Sequence, residues 1–107
     1  MVEVSWTNQS IEDIKNIAEF IAKDSPRYAD SQVELFFTQA EILGQFPTLG
    51  RIVPETSIKT VRELVIGNYR LVYEIINPKQ IDILTIHHSA RLLKNSPAIK
   101  KKLAFKK

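Results

Sequence analysis

Two stretches of the chain decide the fold: RELVIGNYRLVYEI at residues 62–75 and IDILTIHH at residues 81–88. Both are rich in β-branched and aromatic residues, which favour strands. The dipeptide Gly67-Asn68 interrupts the first stretch and suits a tight hairpin turn that needs a positive φ. A second turn signal, over residues 77–80, separates the two stretches. The pattern therefore predicts a three-stranded antiparallel meander.

The residues ahead of the meander predict a strand and a helical hairpin. Apolar and polar residues alternate over residues 2–6, which indicates a short strand. Apolar residues then recur at helical spacing over residues 11–22 and again over residues 29–43. The junction Asp24-Ser25-Pro26 separates the two helices, because serine is a good N-cap and proline fits the first helical position. The two helices are expected to form an antiparallel hairpin.

The elements follow one another in the order β-α-α-β-β-β, which predicts an α+β fold with the strand and the hairpin packed on an antiparallel sheet. Residues 47–55 are rich in proline and glycine and are expected to form a loop. Ser96-Pro97 repeats the cap-and-proline signal, which favours a short basic helix from Pro97 to about Phe105 or a tail that orders on a partner. At 107 residues, the chain is expected to form one domain over residues 1–107.

Composition narrows the class of protein. The chain has no cysteine, which excludes disulfides and cysteine-based metal sites or nucleophiles. The N-terminus lacks the basic start and apolar stretch of a signal peptide, and no run is long enough to span a membrane. A cytoplasmic protein without a membrane partner is therefore expected.

Charge is distributed unevenly along the chain. The net charge is +3, but residues 91–107 carry seven basic groups and no acidic one, so residues 1–90 carry −4. A basic segment of this kind favours nucleic acid or an acidic protein surface as partner. The alternative is a solvated tail that keeps the protein soluble.

Six basic residues on or beside the predicted strands are candidates for binding an anion or the target: Arg51, Arg62, Arg70, His87, His88 and Arg91. Arg70 lies within an apolar strand, where it either binds a phosphate or carboxylate through its fork or pairs with Glu63, Glu74 or Asp82. Arg62 and Arg51 allow the same two interpretations. One histidine could act as a general acid or base, or both could be structural.

Strict alternation along the last strand predicts which side chains share a face. It groups Ile81, Ile83, Thr85 and His87 against Asp82, Leu84, Ile86 and His88. Since the two histidines then point to opposite faces, they cannot share a metal ion, and no metal site is predicted. Both faces are mostly apolar, so both are expected to be at least partly covered.

Several short elements follow one another along nearly the whole chain. They are the Trp6 strand, the helix from Ile11 to Ala22, Asp24-Ser25-Pro26, Phe46-Pro47 with Gly50-Arg51, Arg62-Glu63-Leu64, Tyr69-Arg70-Leu71-Val72-Tyr73, and His88 with Arg91. In this order the chain resembles toxins of the RelE/ParE superfamily, from type II toxin–antitoxin systems. The resemblance implies a helical hairpin packed on an antiparallel sheet, an antitoxin as partner and no cofactor.

The superfamily has two activities, and the resemblance bears on both. RelE-like toxins cut messenger RNA in the ribosome, and ParE-like toxins inhibit DNA gyrase. Arg70 matches the arginine that the ribonucleases place beside the scissile phosphate. His88 or Arg91 falls where those enzymes keep a basic group on the terminal strand. The aromatic acid–base residue of the ribonucleases has no counterpart, because no tyrosine follows Tyr73.

The long hairpin and its junction look more like the ParE branch, so a gyrase poison is expected. A ribonuclease using Arg70, His88 and Arg91 is the alternative. A non-toxic relative that only binds its antitoxin or nucleic acid is a third possibility. If the three basic groups line one open concave face, cleavage is favoured; if they are buried in ion pairs, it is not.

Overall fold

A computed structural model of the protein describes residues 2–89 and 96–99. Its elements are, in chain order, β1 (Glu3–Trp6), α1 (Asn8–Ala22), α2 (Pro26–Leu43), β2 (Arg51–Ile52), β3 (Val61–Ile66), β4 (Tyr69–Asn77) and β5 (Gln80–His88). The five strands form one sheet in the order β1-β5-β4-β3-β2. β1 runs parallel to β5, and the other neighbours are antiparallel. The predicted α+β fold and its element order are confirmed.

Two local differences from the prediction concern the ends of the sheet. The loop predicted over residues 47–55 contains the two-residue strand β2, which extends the sheet beyond β3. Residues 97–99 are helical, as predicted, and the rest of the expected helix to Phe105 lies outside the described residues.

Each helix of the hairpin begins at a side chain that caps its N-terminus. The Thr7 hydroxyl accepts a hydrogen bond from the Ser10 N–H at 3.2 Å and caps α1. Ser25 accepts one from the Tyr28 N–H at 3.1 Å and caps α2, with Pro26 in the first turn. Each serine or threonine cap satisfies an amide that would otherwise have no partner in the helix. The predicted junction at residues 24–26 is therefore confirmed.

The sheet buries apolar residues on both faces. The face that packs against the helices, here called the helix face, centres on Leu71, Tyr73, Ile81 and Ile83, with Phe36 packing from α2. The opposite face, here called the outer face, carries a smaller cluster of Val53, Val61, Val72 and Leu84, and Ile99 completes it. The C-terminal turn thus covers part of the outer face, and the prediction that both faces are covered is confirmed.

A β-bulge in β5 makes the predicted alternation wrong at Ile86, although Leu84 lies opposite Ile83 as predicted. Val72 pairs with Thr85 but Tyr73 pairs with Ile83, so Leu84 is an extra residue in β5. An extra residue shifts every later side chain to the other face. Ile86 therefore joins Ile81 and Ile83 in the helix-face core, whereas Leu84 packs in the outer cluster.

The bulge also fixes α1 on the sheet. The Thr85 hydroxyl donates a hydrogen bond to Oδ2 of Asp13, and the Ile86 N–H donates to the same oxygen at 3.1 Å. One carboxylate of α1 thus satisfies two donors of β5.

Candidate functional site

A charged network crosses the outer face of the sheet and is centred on Glu63. The Glu63 side chain has no exposed surface, yet both of its oxygens are paired. Arg70 Nε donates to Oε1 at 2.5 Å, and Arg51 Nε donates to Oε2 at 2.6 Å. A buried carboxylate is costly unless its charge is paired and its oxygens are hydrogen-bonded. Glu63 therefore holds two of the predicted anion-binding arginines in fixed orientations.

The remaining donors of Arg70 point outward and are bound by Glu55. Nη1 donates to Oε2 at 2.7 Å and Nη2 to Oε1 at 2.8 Å, which is the two-pronged geometry that guanidinium and carboxylate groups prefer. The hydrogen bond from Arg70 lowers the pKa of Glu55 below its ordinary value. The same bond, followed by the one to Glu63, raises the pKa of Arg70. Both groups therefore stay charged at neutral pH.

This arrangement agrees with the ion-pair interpretation of Arg70. The sequence suggested Glu63 as a partner, and the structure adds Glu55, which lies fifteen residues away in a turn. The Arg70 side chain is only 12% exposed, so a phosphate reaches its fork only if Glu55 moves aside.

Tyr73 anchors the loop that leads into Arg51. Its hydroxyl accepts a hydrogen bond from the Gly50 N–H at 2.9 Å and donates to the Pro47 carbonyl oxygen at 2.7 Å. Burial raises the pKa of Tyr73, so the hydroxyl keeps the proton that it donates. Arg62 adds a hydrogen bond from Nη1 to the Gly50 carbonyl oxygen at 2.7 Å. Arg62, a candidate for anion binding, therefore serves this loop in the structure.

Close packing requires glycine at position 50. A Cβ atom there would lie 2.5 Å from the Glu63 carbonyl oxygen and 2.8 Å from the Tyr73 ring. These distances are far below van der Waals contact, so any side chain would push the loop from the sheet. The loop, β2 and the Arg51–Glu63 pair thus form one tightly packed unit.

The two histidines lie on opposite faces, as predicted. His87 is opposite Arg70 in the β4–β5 register and therefore on the outer face. His88 is opposite Tyr69, and the two rings meet edge to face at 5.3 Å between centroids on the helix face. Within residues 2–89 and 96–99, no three His, Asp or Glu side chains gather into a possible metal site. Arg91 lies outside the described residues.

An open cavity of about 1030 Å³ lies between α1 and the end of β5. Its lining combines charged, aromatic and apolar groups and includes Asp13, Phe20, Lys23, Tyr69 and His88. Phe20 lines the cavity from α1 and is 69% exposed. The cavity therefore offers an apolar wall with polar groups at its edge, a suitable environment for an amphipathic segment.

A second apolar surface lies along α2 and is here called the α2 stripe: Tyr28, Leu35 and Ile42. These exposed residues are spaced seven apart, so they lie along one side of the helix. Phe46 and Leu49, also exposed, follow directly after the helix. Contiguous exposed apolar residues of this kind mark interaction surfaces.

Architecture and sequence both match known toxins. A family model described as ParE toxin of type II toxin–antitoxin system, parDE, matches residues 4–93. The chain therefore belongs to the ParE toxin family, within the RelE/ParE superfamily of type II toxin–antitoxin toxins. In the described part of the chain, neither helix has the length and apolar character needed to cross a membrane.

Two relatives of similar length carry toxin names. The chain is 29% identical over 92 residues to Toxin RelE2 of Caulobacter vibrioides, covering 86% of this chain and all of that one. It is 28% identical over 86 residues to Putative toxin Y4kP of Sinorhizobium fredii, covering 80% of this chain and 86% of that one.

Solved structures share the fold. A chain of the chromosomal ParDE toxin–antitoxin system from P. aeruginosa matches with a TM-score of 0.68 at 23% identity, covering 82% of this chain and 96% of that one. A chain of the RelBE2 toxin–antitoxin complex from Mycobacterium tuberculosis matches with a TM-score of 0.54 at 24% identity, covering 81% and 96%.

The predicted site residues thus fall into separate groups. Arg51 and Arg70 come together through Glu63, and His87 lies beside Arg70 on the same face. Arg62 is bonded to the loop at Gly50, and His88 lies on the helix face. The sequence did not reveal Glu55 as a partner of Arg70, because nothing in the pattern around a glutamate in a turn predicts its contacts.

Proposed function

We propose that this toxin inhibits growth by poisoning DNA gyrase and that it does not cleave messenger RNA. The observation that carries the choice is the separation of Arg70 from His88 across the sheet. A ribonuclease must stabilise charge at the scissile phosphate and transfer protons at the same phosphate. Arg70, with its donors held by Glu55 and Glu63, and His88, on the other face, are poorly placed for that task.

Two assays on the purified protein test the target. With gyrase and supercoiled plasmid, a poison that traps the cleaved complex should leave linear plasmid, and the product should disappear when gyrase is omitted. With translating ribosomes, primer extension should reveal no cuts in the messenger RNA. Codon-dependent cuts together with an absence of linear plasmid would overturn the proposal.

A ribosome-dependent ribonuclease is the second candidate, because one relative carries the name RelE2. His87 is the histidine to examine in that case, since it lies opposite Arg70 on the outer face. If cuts are observed, their loss in His87→Ala with retention in His88→Ala would assign catalysis to the outer face. The converse result would assign it to the helix face and exclude cooperation with Arg70.

A cognate antitoxin is the proposed partner. The matched structures come from toxin–antitoxin systems, and the α2 stripe offers apolar surface for an amphipathic segment. The basic residues 91–107 suit an acidic stretch of the same partner, so affinity should fall with rising salt. Co-expression with the product of the neighbouring gene should yield a complex, and its absence would contradict this assignment.

The proposed target implies action in the cytoplasm. Inducible expression without the antitoxin should stop growth and induce the DNA-damage response. Unimpaired growth with abundant folded protein would instead support a non-toxic relative that only binds its antitoxin or nucleic acid.

A further inference from the structure

The sheet has two edges, and they differ in what they offer to another strand. Proteins usually block a sheet edge by making it short or by placing charged residues and proline on it. The β2 edge is blocked in this way, because it has two residues, carries Arg51 and is followed by Pro54. The β1 edge has four residues, and after Glu3 it contains neither a charged side chain nor proline. The β1 edge is therefore the one suited to pairing.

The hydrogen bonds of β1 show which of its main-chain groups point away from the sheet. The Glu3 N–H donates at 2.9 Å to the carbonyl oxygen just before β5, and the Thr7 N–H donates at 3.2 Å to that of Ile83. Since main-chain groups alternate in direction along a strand, the N–H and C=O groups of Val4 and Trp6 point outward. Within the described part of the chain, no hydrogen bond satisfies these outward groups.

We propose that a second copy of this chain pairs with β1 about a two-fold axis at Ser5, which joins the two five-stranded sheets into one. In this antiparallel register, Val4 of each copy lies opposite Trp6 of the other. Two residues that face each other in this way exchange both of their N–H···O bonds. The two equivalent pairs therefore satisfy every outward group on both edges. Such an interface is isologous, as in most symmetric dimers.

Other registers of the two strands use fewer of these groups. Pairing Val4 with its own copy would place Val2 opposite Trp6, but the Val2 N–H already donates to the Gly44 carbonyl oxygen at 3.1 Å. Pairing Trp6 with its own copy would require Asn8, which begins α1. The free edge is therefore limited to residues 4–6, and its centre is Ser5.

The side chains are compatible with this register. Val4 and Trp6 lie on the helix face, where each Trp6 would meet Val4 of the other copy, and such aromatic and β-branched pairs stabilise neighbouring strands. The Trp6 ring packs on that of Phe37 with 4.8 Å between centroids, and Phe37 is 38% exposed, so apolar surface continues beside the edge. Glu3 would lie opposite Thr7, so no like charges of β1 face each other.

This surface is separate from the α2 stripe. Phe37 follows Leu35 by two residues, which is about 200° around the helix axis, so the stripe lies on nearly the opposite side of α2 from Phe37. The inferred dimer goes beyond the proposed target and antitoxin and depends on neither. Two copies paired through β1 would leave both α2 stripes accessible.

The test uses the absence of cysteine from the chain, because any disulfide in a single-cysteine variant then joins two copies. In the proposed register, Ser5 faces its own copy as a non-hydrogen-bonded pair, with Cα atoms about 4.5 Å apart. Disulfides span Cα distances of roughly 4.4–6.8 Å. Glu3→Cys is the matched control, since residue 3 points to the same face but would lie roughly 14 Å from its copy.

Under mild oxidation with oxidised glutathione, Ser5→Cys should form disulfide-linked dimers roughly tenfold or more faster than Glu3→Cys, because only its two thiols are held together. Equal rates for the two variants, or faster linkage of Glu3→Cys, would overturn the proposal.

Sedimentation of the unaltered protein provides a second measurement. The weight-average mass should rise with concentration towards that of a dimer, and a monomer at every concentration up to the millimolar range would overturn the proposal. Ser5→Lys brings two ammonium groups together on the axis and should weaken association roughly fivefold or more. Ser31→Lys adds the same charge at an exposed position of α2 and should not weaken association.

The α2 stripe is the alternative contact between copies. If Leu35→Glu abolishes association and Ser5→Lys does not, the copies meet through the stripe and the proposal is wrong. Thermal melts establish that each variant is folded, and the disulfide comparison decides the question if lysine at position 5 prevents folding.

Discussion

Replacing Tyr73 by phenylalanine removes a single oxygen atom that joins the loop at residues 47–50 to the sheet. The ring is fully buried and its shape is unchanged, so the variant tests the two hydrogen bonds with little disturbance of packing. The Pro47 carbonyl is at a partly exposed residue and can bind water instead. The Gly50 N–H belongs to a buried residue and loses its partner.

The expected cost follows from that buried donor. An unsatisfied buried hydrogen-bonding group costs about 1–3 kcal/mol, so the free energy of unfolding should fall by about 2 kcal/mol. For a chain of this size, this loss corresponds to a decrease in Tm of roughly 8 °C. The Gly50 amide should also exchange its hydrogen faster, because the loop opens locally.

Chemical denaturation and thermal melts measure the effect, and Tyr28→Phe is the matched control. Tyr28 is 58% exposed on α2, so its variant should change the free energy of unfolding by less than about 0.5 kcal/mol. If Tyr73→Phe costs no more than Tyr28→Phe, the hydroxyl does not anchor the loop and the reasoning fails.

Three further variants test the network, the loop and the partner surface. Gly50→Ala should destabilise the protein by about 1–3 kcal/mol in denaturant titrations, because its Cβ would lie 2.5 Å from the Glu63 carbonyl oxygen; a neutral result would contradict the close approach. Pairing with Arg70 lowers the pKa of Glu55, so the pair should stabilise the fold above the ordinary glutamate pKa of about 4.3 and lose that effect as pH falls. Glu55→Gln should therefore flatten the acid side of the stability–pH profile. An unchanged profile would exclude the pair. Leu35→Glu should weaken antitoxin binding in titration calorimetry without lowering Tm, whereas Glu34→Gln should leave binding nearly unchanged; equal affinities would remove the α2 stripe from the interface.

Local signals in the sequence were sufficient for most of the fold. The Gly67 turn needs a positive φ, and its φ is +60° in the structure. Ser25 and Pro26 act at the helix junction through their own backbone chemistry, so their roles are readable without tertiary information. The elements that depend on neighbours only two to four residues away were therefore predictable.

The β5 bulge was not predictable from alternation. Four of the six residues from Ile81 to Ile86 are apolar, and the two polar ones, Asp82 and Thr85, do not by themselves reveal that Leu84 is inserted between two paired residues. The bulge depends on the register with β4 and on the Asp13 carboxylate that binds beside it. Both are contacts between residues far apart in sequence.

The candidate site shows the same limit. Glu63 was foreseeable as a partner of Arg70, because the two lie on adjacent strands flanking a two-residue turn. Glu55 was not, since the direction of a turn side chain depends on how the whole loop packs. The role of Tyr73 was also hidden, because a tyrosine in an apolar strand looks like any other core residue until its hydroxyl finds Pro47 and Gly50.

The parallel pairing of β1 with β5 has a consequence for synthesis of the chain. Glu3 is opposite Gln80 and Trp6 is opposite Ile83, so the first strand cannot dock until the last strand has left the ribosome. Contacts of such long sequence separation form late in folding. During translation the nascent chain therefore carries an unpaired N-terminal strand, and β5 emerges with an open edge that β1 then closes. The sheet is therefore complete only after residues 80–88 have been made.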